Sequence, residues 1–251
     1  MEQASTAFYL DWSFWAVVVA LLAIVLSQLP PVLSWFRRPK IEIEPYSKIA
    51  ITHKVGNPNL QIHLIVNNTG GRQVRIKDIS VRLRRDGIET AHLPAQNFLQ
   101  HQTDKNTLLF TAFSLKPGEE WAHITNFLHF FNREDENLYR SLEQAMLADF
   151  HAKRDALGHE PKEFIEIEDR FVQPFHEFFR NKFIWSAGEY DLTIYVKTDR
   201  PSADLERHYR FTLFESHVSQ LEAITEFFKY GGGISWDPNV QTNIIVDLKE
   251  A

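Results

Sequence analysis

The sequence predicts a mainly β fold, a β-sandwich with a helical insertion, preceded by one N-terminal transmembrane helix. Three observations lead to this prediction. Residues 12–36 form an uncharged apolar run. Beyond it, short segments alternate apolar and polar residues between turn signals, which is typical of strands. Two later stretches, about 134–182 and 217–230, return to helical spacing. With 44% hydrophobic residues the chain has ample material for a core, which excludes a disordered protein.

The first element, residues 12–36, is 25 residues long and carries no charge. A helix of that length crosses the roughly 30 Å hydrocarbon core of a bilayer with some tilt. Trp12, Trp15 and Trp35 lie near its ends, where indole rings prefer the headgroup layer. A cleaved signal peptide is the alternative, but it needs a basic leading segment, and residues 1–11 contain no Lys or Arg. We therefore expect a membrane span.

Charges on either side of the span predict its orientation. Arg37, Arg38 and Lys40 follow it and nothing basic precedes it. The positive-inside rule then places residues 1–11 outside as a short external N-terminus, and residues 37–251 in the cytoplasm as one β-sandwich domain. The expected location is the bacterial inner membrane, with the lipid bilayer as the first partner.

The small residues of the span fall on one helix face. They are separated by 3, 4, 3, 4 and 7 positions, which places them on two registers of one heptad. The set is Ser13, Ala16, Ala20, Ala23, Ser27 and Ser34. Small residues four apart let helix backbones approach closely in lipid, so this small-residue face predicts a homo-oligomer, with a narrow pore as one form of it. A solitary anchor with incidental alanines is the alternative.

A polar and proline-containing break interrupts the span at Gln28, Pro30 and Pro31. Proline removes a backbone donor and clashes with the preceding turn, so the regular helix should kink or end near Gln28. In an oligomer Ser27 and Gln28 could form interhelical hydrogen bonds or line a wet constriction. The other interpretation is that the span ends near Leu29.

The strands follow in order along residues 41–124 and 186–248. Leu60, Ile62, Leu64 and Val66 alternate on one face, and Asp86-Gly87 is a hairpin-type turn. The predicted strand segments are 41–45, 48–52, 60–68, the run 72–87 up to its closing turn, parts of 106–124, 186–199, 207–215 and 240–248. Strands at this spacing with one polar face indicate an antiparallel sandwich.

Two stretches of this part resemble a known fold class. IHLIVNNTGG with VRIKDISVRLRR is similar to the front half of many immunoglobulin-like sandwich domains, and SAGEYDLTIYV resembles the Gly-Glu-Tyr strand entry common in them. The resemblance covers about half of residues 41–215 and implies a fold class only.

Two helical pieces complete the domain. Residues 134–182 contain two helical segments separated by Gly158-His159-Glu160-Pro161, which predicts a hairpin-like insertion packed on one end of the sandwich. Residues 217–230 form a further helix, which glycines from Gly231 should terminate.

The motifs of enzyme chemistry are absent from the sequence. There is no cysteine, no HExxH, no GxSxG, no GxGxxG and no P-loop motif. His176-Glu177 starts like a zinc motif but lacks its second histidine. We expect no catalytic residue, no metal and no cofactor, and hence no enzyme. The net charge of −6 also argues against nucleic-acid binding.

Basic residues are concentrated at 72–85. By alternation Arg75 and Lys77 share one exposed face, and Arg82 and Arg84 share theirs. The whole basic set is Arg72, Arg75, Lys77, Arg82, Arg84 and Arg85. Such a set could contact anionic lipid headgroups or a nucleotide ligand. An ordinary solvated sheet face, neutralised by nearby acids, is the alternative.

The layout of short span and cytosolic β domain resembles the small single-pass membrane effectors of bacterial anti-phage defence, of the CBASS or Hailong kind. That resemblance implies oligomers that permeabilise the inner membrane. The leading hypothesis is therefore an ion channel gated by its cytoplasmic β-sandwich domain, through a ligand or a cytosolic regulatory protein. The alternative is a membrane-anchored interaction module that recruits a cytosolic partner. A membrane-bound enzyme is a third option.

Overall fold

The computed structural model describes residues 12–36, 38–101, 103–104, 106–157, 165–232 and 243–251, with side chains in the first range only up to Ser27. The helices are α1 (Trp12–Phe36), α2 (Arg133–Leu157), α3 (Asp169–Lys182) and α4 (Glu215–Glu222). A single 3-10 turn (Pro201–Ala203) precedes the tenth strand, and the 3-10 helix proper (Ala223–Tyr230) follows α4. The strands are β1 (Ile41–Pro45), β2 (Lys48–Lys54), β3 (Asn57–Asn68), β4 (Val74–Arg85), β5 (Ile88–Leu99), β6 (Leu108–Leu109), β7 (Phe113–Leu115), β8 (Glu120–Leu128), β9 (Gly188–Thr198), β10 (Leu205–Leu213), β11 (Ile244–Asp247) and β12 (Lys249–Glu250).

In the described part of the chain the strands form one antiparallel sheet that folds over on itself. Its order is β11-β2-β3-β8-β5-β4-β9-β10-β12, with β1 on β3, β6 on β5 and β7 on β4. β5 pairs with β4 up to Pro94 and with β8 from Ala95 onward, so it belongs to both halves. β10 lies against β1 and β11, which nearly closes the sheet.

The mainly β, antiparallel character predicted from sequence is confirmed, but the two halves are not separate sheets. The physical cause lies in β5. Pro94 cannot donate a hydrogen bond, and the pairing with β8 shifts register between Ala95 and Asn97. A bulge next to a proline bends a strand and ends its pairing on one side. One long strand therefore crosses from one layer to the other.

The main core lies between the two layers. The predicted inward residues Leu60, Ile62, Leu64 and Val66 of β3 are fully buried. Leu192 and Ile194 of β9, in the other half of the sheet, are fully buried as well. On β4 the alternation is interrupted: Ile76 and Ile79 are both buried although they are three positions apart. The pairing of β4 with β9 shifts register at this point, so a bulge returns the apolar residues to the inside.

A second, aromatic core joins the helices to one end of the sheet. It contains Tyr139 and Met146 of α2, Phe175 and Phe178 of α3, and Phe228 of the 3-10 helix. The tip of the β2–β3 hairpin enters this core through Val55, which is buried. The 3-10 helix ends at Gly231, whose φ of 86° lies in the left-handed region, as the sequence predicted for a glycine terminator.

Helix α1 differs from the other helices in its surroundings. Of its described side chains, Trp12 to Ser27, none is buried. Over the described residues, no helix is both long enough and apolar enough to cross a membrane.

Candidate functional site

The small-residue face of α1 is present as far as its side chains are described. Ser13, Ala16, Ala20, Ala23 and Ser27 are all exposed. The Ser27 hydroxyl donates to the Ile24 carbonyl at 2.7 Å, within its own helix. That bond satisfies the hydroxyl locally, so Ser27 does not require an interhelical acceptor.

Four further residues of the predicted pore or packing set are Gln28, Pro30, Pro31 and Ser34. They lie outside the residues whose side chains the structure describes.

The basic set does not form a single patch. Arg75 and Arg84 lie nine positions apart on β4, which is roughly 30 Å along a strand. Arg72 precedes β4, and Lys77 is exposed beside the bulge. Arg85 has the inward register of Leu83 and pairs in the sheet with the buried Tyr190. Arg75 and Lys77 are both exposed on either side of the buried Ile76, and Arg82 and Arg84 are neighbours on the outer face farther along β4.

Acidic side chains surround these two arginines. The Nε atom of Arg82 lies 3.2 Å from Glu89 Oε2, and its guanidinium lies 4.8 Å from the centre of the Tyr195 ring. Arg84 pairs in register with Glu89 on one side and Asp191 on the other. Asp191 also contacts Arg210 at 3.3 Å. The alternation of charges leaves little net positive potential for an anion.

The outer face of the other layer carries a polar cleft, which we call the amide cleft. It has a volume of about 520 Å³ and lies over β2, β3, β8 and β5. Its described lining includes the amides Asn57, Asn59, Gln61, Asn97, Asn126 and Asn243. A second depression of about 600 Å³ adjoins it and shares Ala50, Gln61 and Leu99.

Sheet register sets the positions of three of these amides. Gln61 of β3 is opposite Asn126 of β8, and Asn126 is opposite Asn97 of β5. Gln61 Nε2 donates to Asn126 Oδ1 at 3.0 Å, and Asn126 Nδ2 donates to Asn97 Oδ1 at 2.6 Å. The three side chains form a hydrogen-bonded row across three strands, which fixes their orientation.

Aromatic and charged side chains complete the lining of the amide cleft. Asn57 Nδ2 donates to the His129 carbonyl at 2.8 Å, and the exposed ring of Phe130 follows directly in the lining. Lys54, Asp104 and Glu136 are the charged side chains of the described lining. The described lining therefore combines neutral amide donors and acceptors with three charged side chains and the rings of Phe130 and Phe131.

Sequence reasoning missed this cleft. The alternation predicts that Leu60, Ile62 and Leu64 face the core, but it does not mark the outward positions between them as a binding site. A usable signal is that Asn57, Asn59 and Gln61 place neutral amides where a solvated strand face commonly has charges. Their neighbours Asn97 and Asn126 are remote in sequence, so their assembly depended on the sheet topology.

A buried histidine lies at the junction of the sheet and the helices. The Nδ1 atom of His53 accepts from the Gly56 N–H at 3.1 Å, so Nε2 carries the proton and donates to the Leu221 carbonyl at 2.9 Å. Its ring packs edge-on against Phe179 and Phe183. Burial lowers the pKa of His53 below its ordinary value. Both ring nitrogens are occupied, which suits a structural role.

The remaining histidines do not assemble into a metal site in the described part of the chain. No group of three or more His, Asp or Glu side chains there is arranged to hold a metal ion. Burial also lowers the pKa of His123 and of His176, the latter aided by Arg180. The ring of His123 packs against Phe98 and, edge-on, against Trp121, and the ring of His176 packs against Phe228, which explains the burial.

No protein-family model matches the chain, and no curated protein matches it.

Proposed function

We propose that the chain is a single-pass membrane protein, anchored by α1, whose sheet domain serves as a binding module for a partner. One observation carries this proposal. Most of the described apolar side chains of α1 are exposed, among them Trp12, Val19 and Leu22, and none of its described side chains is buried. Such a helix needs an apolar environment from outside its own chain, and a bilayer supplies one. The proposed span is the whole of α1, Trp12–Phe36. Its last nine residues follow Ser27, the last residue of α1 whose side chain the structure describes.

The proposed orientation places residues 1–11 outside and residues 37–251 in the cytoplasm. The basic residues that follow the span, Arg38 and Lys40 among them, support this arrangement under the positive-inside rule. The expected location is the inner membrane of a bacterium. The resemblance of the sheet domain to immunoglobulin-like modules is part of the same proposal.

Alkaline carbonate extraction tests the anchor. Full-length protein should remain with the washed membranes, because an inserted helix is not released by charge disruption. A variant with Leu21→Arg and Leu22→Arg should be released, since a charge at the centre of a span costs about 2.5–3.5 kcal/mol on insertion scales. Release of the unaltered protein would refute the proposal.

An ion-conducting pore is the second candidate, and the small-residue face of α1 favours it. Ala16 with Ala20, and Ala23 with Ser27, would let neighbouring helices pack closely in an oligomer. The pore would be gated by the sheet domain, as in the anti-phage effectors that the layout resembles. Its ligand would be a nucleotide or a cytosolic regulatory protein.

Exchange of residues 12–36 for an unrelated transmembrane helix separates the two candidates. A binding module should keep its membrane retention and its partner after the exchange, because the helix only localises it. A pore should lose its conductance in planar bilayers. Conductance of the unaltered protein that disappears on exchange would favour the pore over the module.

A further inference from the structure

The amide row retains unused hydrogen-bonding capacity at the floor of the amide cleft. Each amide group has two N–H donors and a carbonyl oxygen. Within the described structure the row uses one N–H of Gln61 and one of Asn126. Gln61 Oε1 and Asn97 Nδ2 therefore stay available to a ligand. A partner with groups that both donate and accept matches this floor.

Asn59 adds a buried acceptor without a partner. Its side-chain Oδ1 is shielded from solvent and makes no hydrogen bond within the described part of the chain. Asn59 lies on the same outward face of β3 as Gln61, two positions away, and lines the same cleft. An unsatisfied buried acceptor is costly, so an O–H or N–H from a ligand would be favourable there.

The charges of the cleft disfavour anionic ligands. Asp104 and Glu136 oppose Lys54 in the described lining. The Lys54 ammonium lies 4.9 Å from the centre of the Tyr139 ring, so it is already engaged with an aromatic face. Glu136 is itself paired with Arg140 at 2.8 Å, so the charges around the cleft nearly cancel and offer a phosphate little net attraction.

Phe130 supplies an apolar platform beside the amides. Its side chain is 64% exposed although it is large and aromatic. The C–H faces of a sugar ring pack on such an aromatic face, while the hydroxyl groups at the ring edge reach polar side chains.

We propose that the amide cleft binds a neutral saccharide, with its hydroxyl groups on Asn59, Gln61 and Asn97 and a ring face on Phe130. The inference rests on the proposed function, since it names the ligand class of the proposed binding module.

The test uses full-length protein in lipid nanodiscs, because sugar-based detergents would compete for the site. The probes are maltotriose, cellotriose and chitotriose, with adenosine and AMP as comparators, and the measurement is saturation-transfer NMR followed by titration. At least one trisaccharide should bind. Binding of adenosine or AMP with no binding of the three sugars would overturn the inference.

Two variants and one matched control locate the binding. Gln61→Ala and Phe130→Ala should each weaken the sugar affinity roughly tenfold or more, by loss of a hydrogen bond and of a ring contact. Phe130→Ala changes an exposed side chain and leaves the core intact. Asn67→Ala is the control, because Asn67 has the same outward register on β3 but lies outside the cleft. Equal affinity in all three variants would place the sugar elsewhere and overturn the inference.

The same samples distinguish a failure of the proposed saccharide site from a failure of the proposed membrane anchor. Protein that resists carbonate extraction but binds no trisaccharide refutes the saccharide site and leaves the anchor standing. Protein that binds the sugar through Gln61 and Phe130 but is extracted by carbonate supports the saccharide site and refutes the anchor.

Discussion

At the residue scale, the turn between β2 and β3 is tightly constrained. Val55 has a φ of 48°, in the left-handed region that β-branched residues rarely adopt. Its side chain is only 4% exposed, in the second core, and this packing holds it in place. Gly56 follows with a φ of 86°, and a Cβ added there would lie 2.5 Å from the Phe179 carbonyl oxygen. The turn thereby couples the sheet to the helices.

Replacement of Gly56 should therefore destabilise the protein strongly. We expect Gly56→Ala to lower the free energy of unfolding by roughly 3 kcal/mol or more, through backbone strain and overpacking together. Gly87→Ala is the matched control: φ there is 77°, but nothing lies within 4 Å of the added Cβ. It should cost only about 1–2 kcal/mol. Denaturant unfolding of the full-length chain measures both, and equal losses would contradict the close approach at Phe179.

His53 should make stability depend on pH. Burial lowers the pKa of His53 in the folded protein, so the unfolded chain binds a proton first as the pH falls. The contribution of His53 is then fully present above its unfolded pKa of about 6.5 and is lost as the pH falls toward its folded pKa. His53→Gln should reduce the fall in stability between about pH 6.5 and pH 5. The exposed His208→Gln is the control, and an unchanged slope in His53→Gln would contradict the prediction.

At the element scale, the small-residue face of α1 predicts a packing surface. Ala20→Leu should block helix association, because a large side chain keeps the backbones apart. Val25→Leu is the control, since Val25 lies on the opposite side of the heptad and is exposed. The mass of each variant in detergent is the measurement. A normal oligomer in Ala20→Leu, or a monomer in the unaltered protein, would refute association through this face.

Helix α3 should contribute much of the stability of the second core. Phe175 is fully buried and its ring centre lies 4.8 Å from that of Phe228. Phe175→Ala should cost about 3–5 kcal/mol, since it removes apolar contacts and leaves a cavity. Phe214→Ala, at a site that is 56% exposed, should change the free energy of unfolding by less than about 0.5 kcal/mol. Thermal unfolding measures both variants. Similar losses of unfolding free energy in Phe175→Ala and Phe214→Ala would show that the helices are loosely attached.

The elements differ in how far the sequence could predict them. The alternation at Leu60 to Val66 gives β3 directly, because its period of two follows from strand geometry. Its outward amides became a candidate site only when β5 and β8 brought Asn97 and Asn126 beside Gln61, and that pairing is non-local. The basic set is the opposite case, because the sequence predicted it as a site and the sheet pairing placed acids beside it. Alternation placed Arg82 and Arg84 on one face but could not show the acids that β5 and β9 place beside them.

At the scale of the whole molecule, one sheet is folded over by β5 and closed at one end by an aromatic helical core. The amide cleft lies on the outside of one layer, and charges interleave on the outside of the other. The amide cleft and the surface of interleaved charges therefore lie on opposite faces of the folded sheet. We propose that α1 holds this domain at a membrane, with the domain on the cytoplasmic side.

Cysteine labelling tests that claim most directly, because the natural chain contains no cysteine. Ser5→Cys and Ser202→Cys are made separately in the full-length protein and treated with a membrane-impermeant maleimide, with or without permeabilisation of the inner membrane. We predict that Ser5→Cys is labelled in intact spheroplasts and that Ser202→Cys, at an exposed site, is labelled only after permeabilisation. Labelling of both positions only after permeabilisation, or of both without it, would contradict the account.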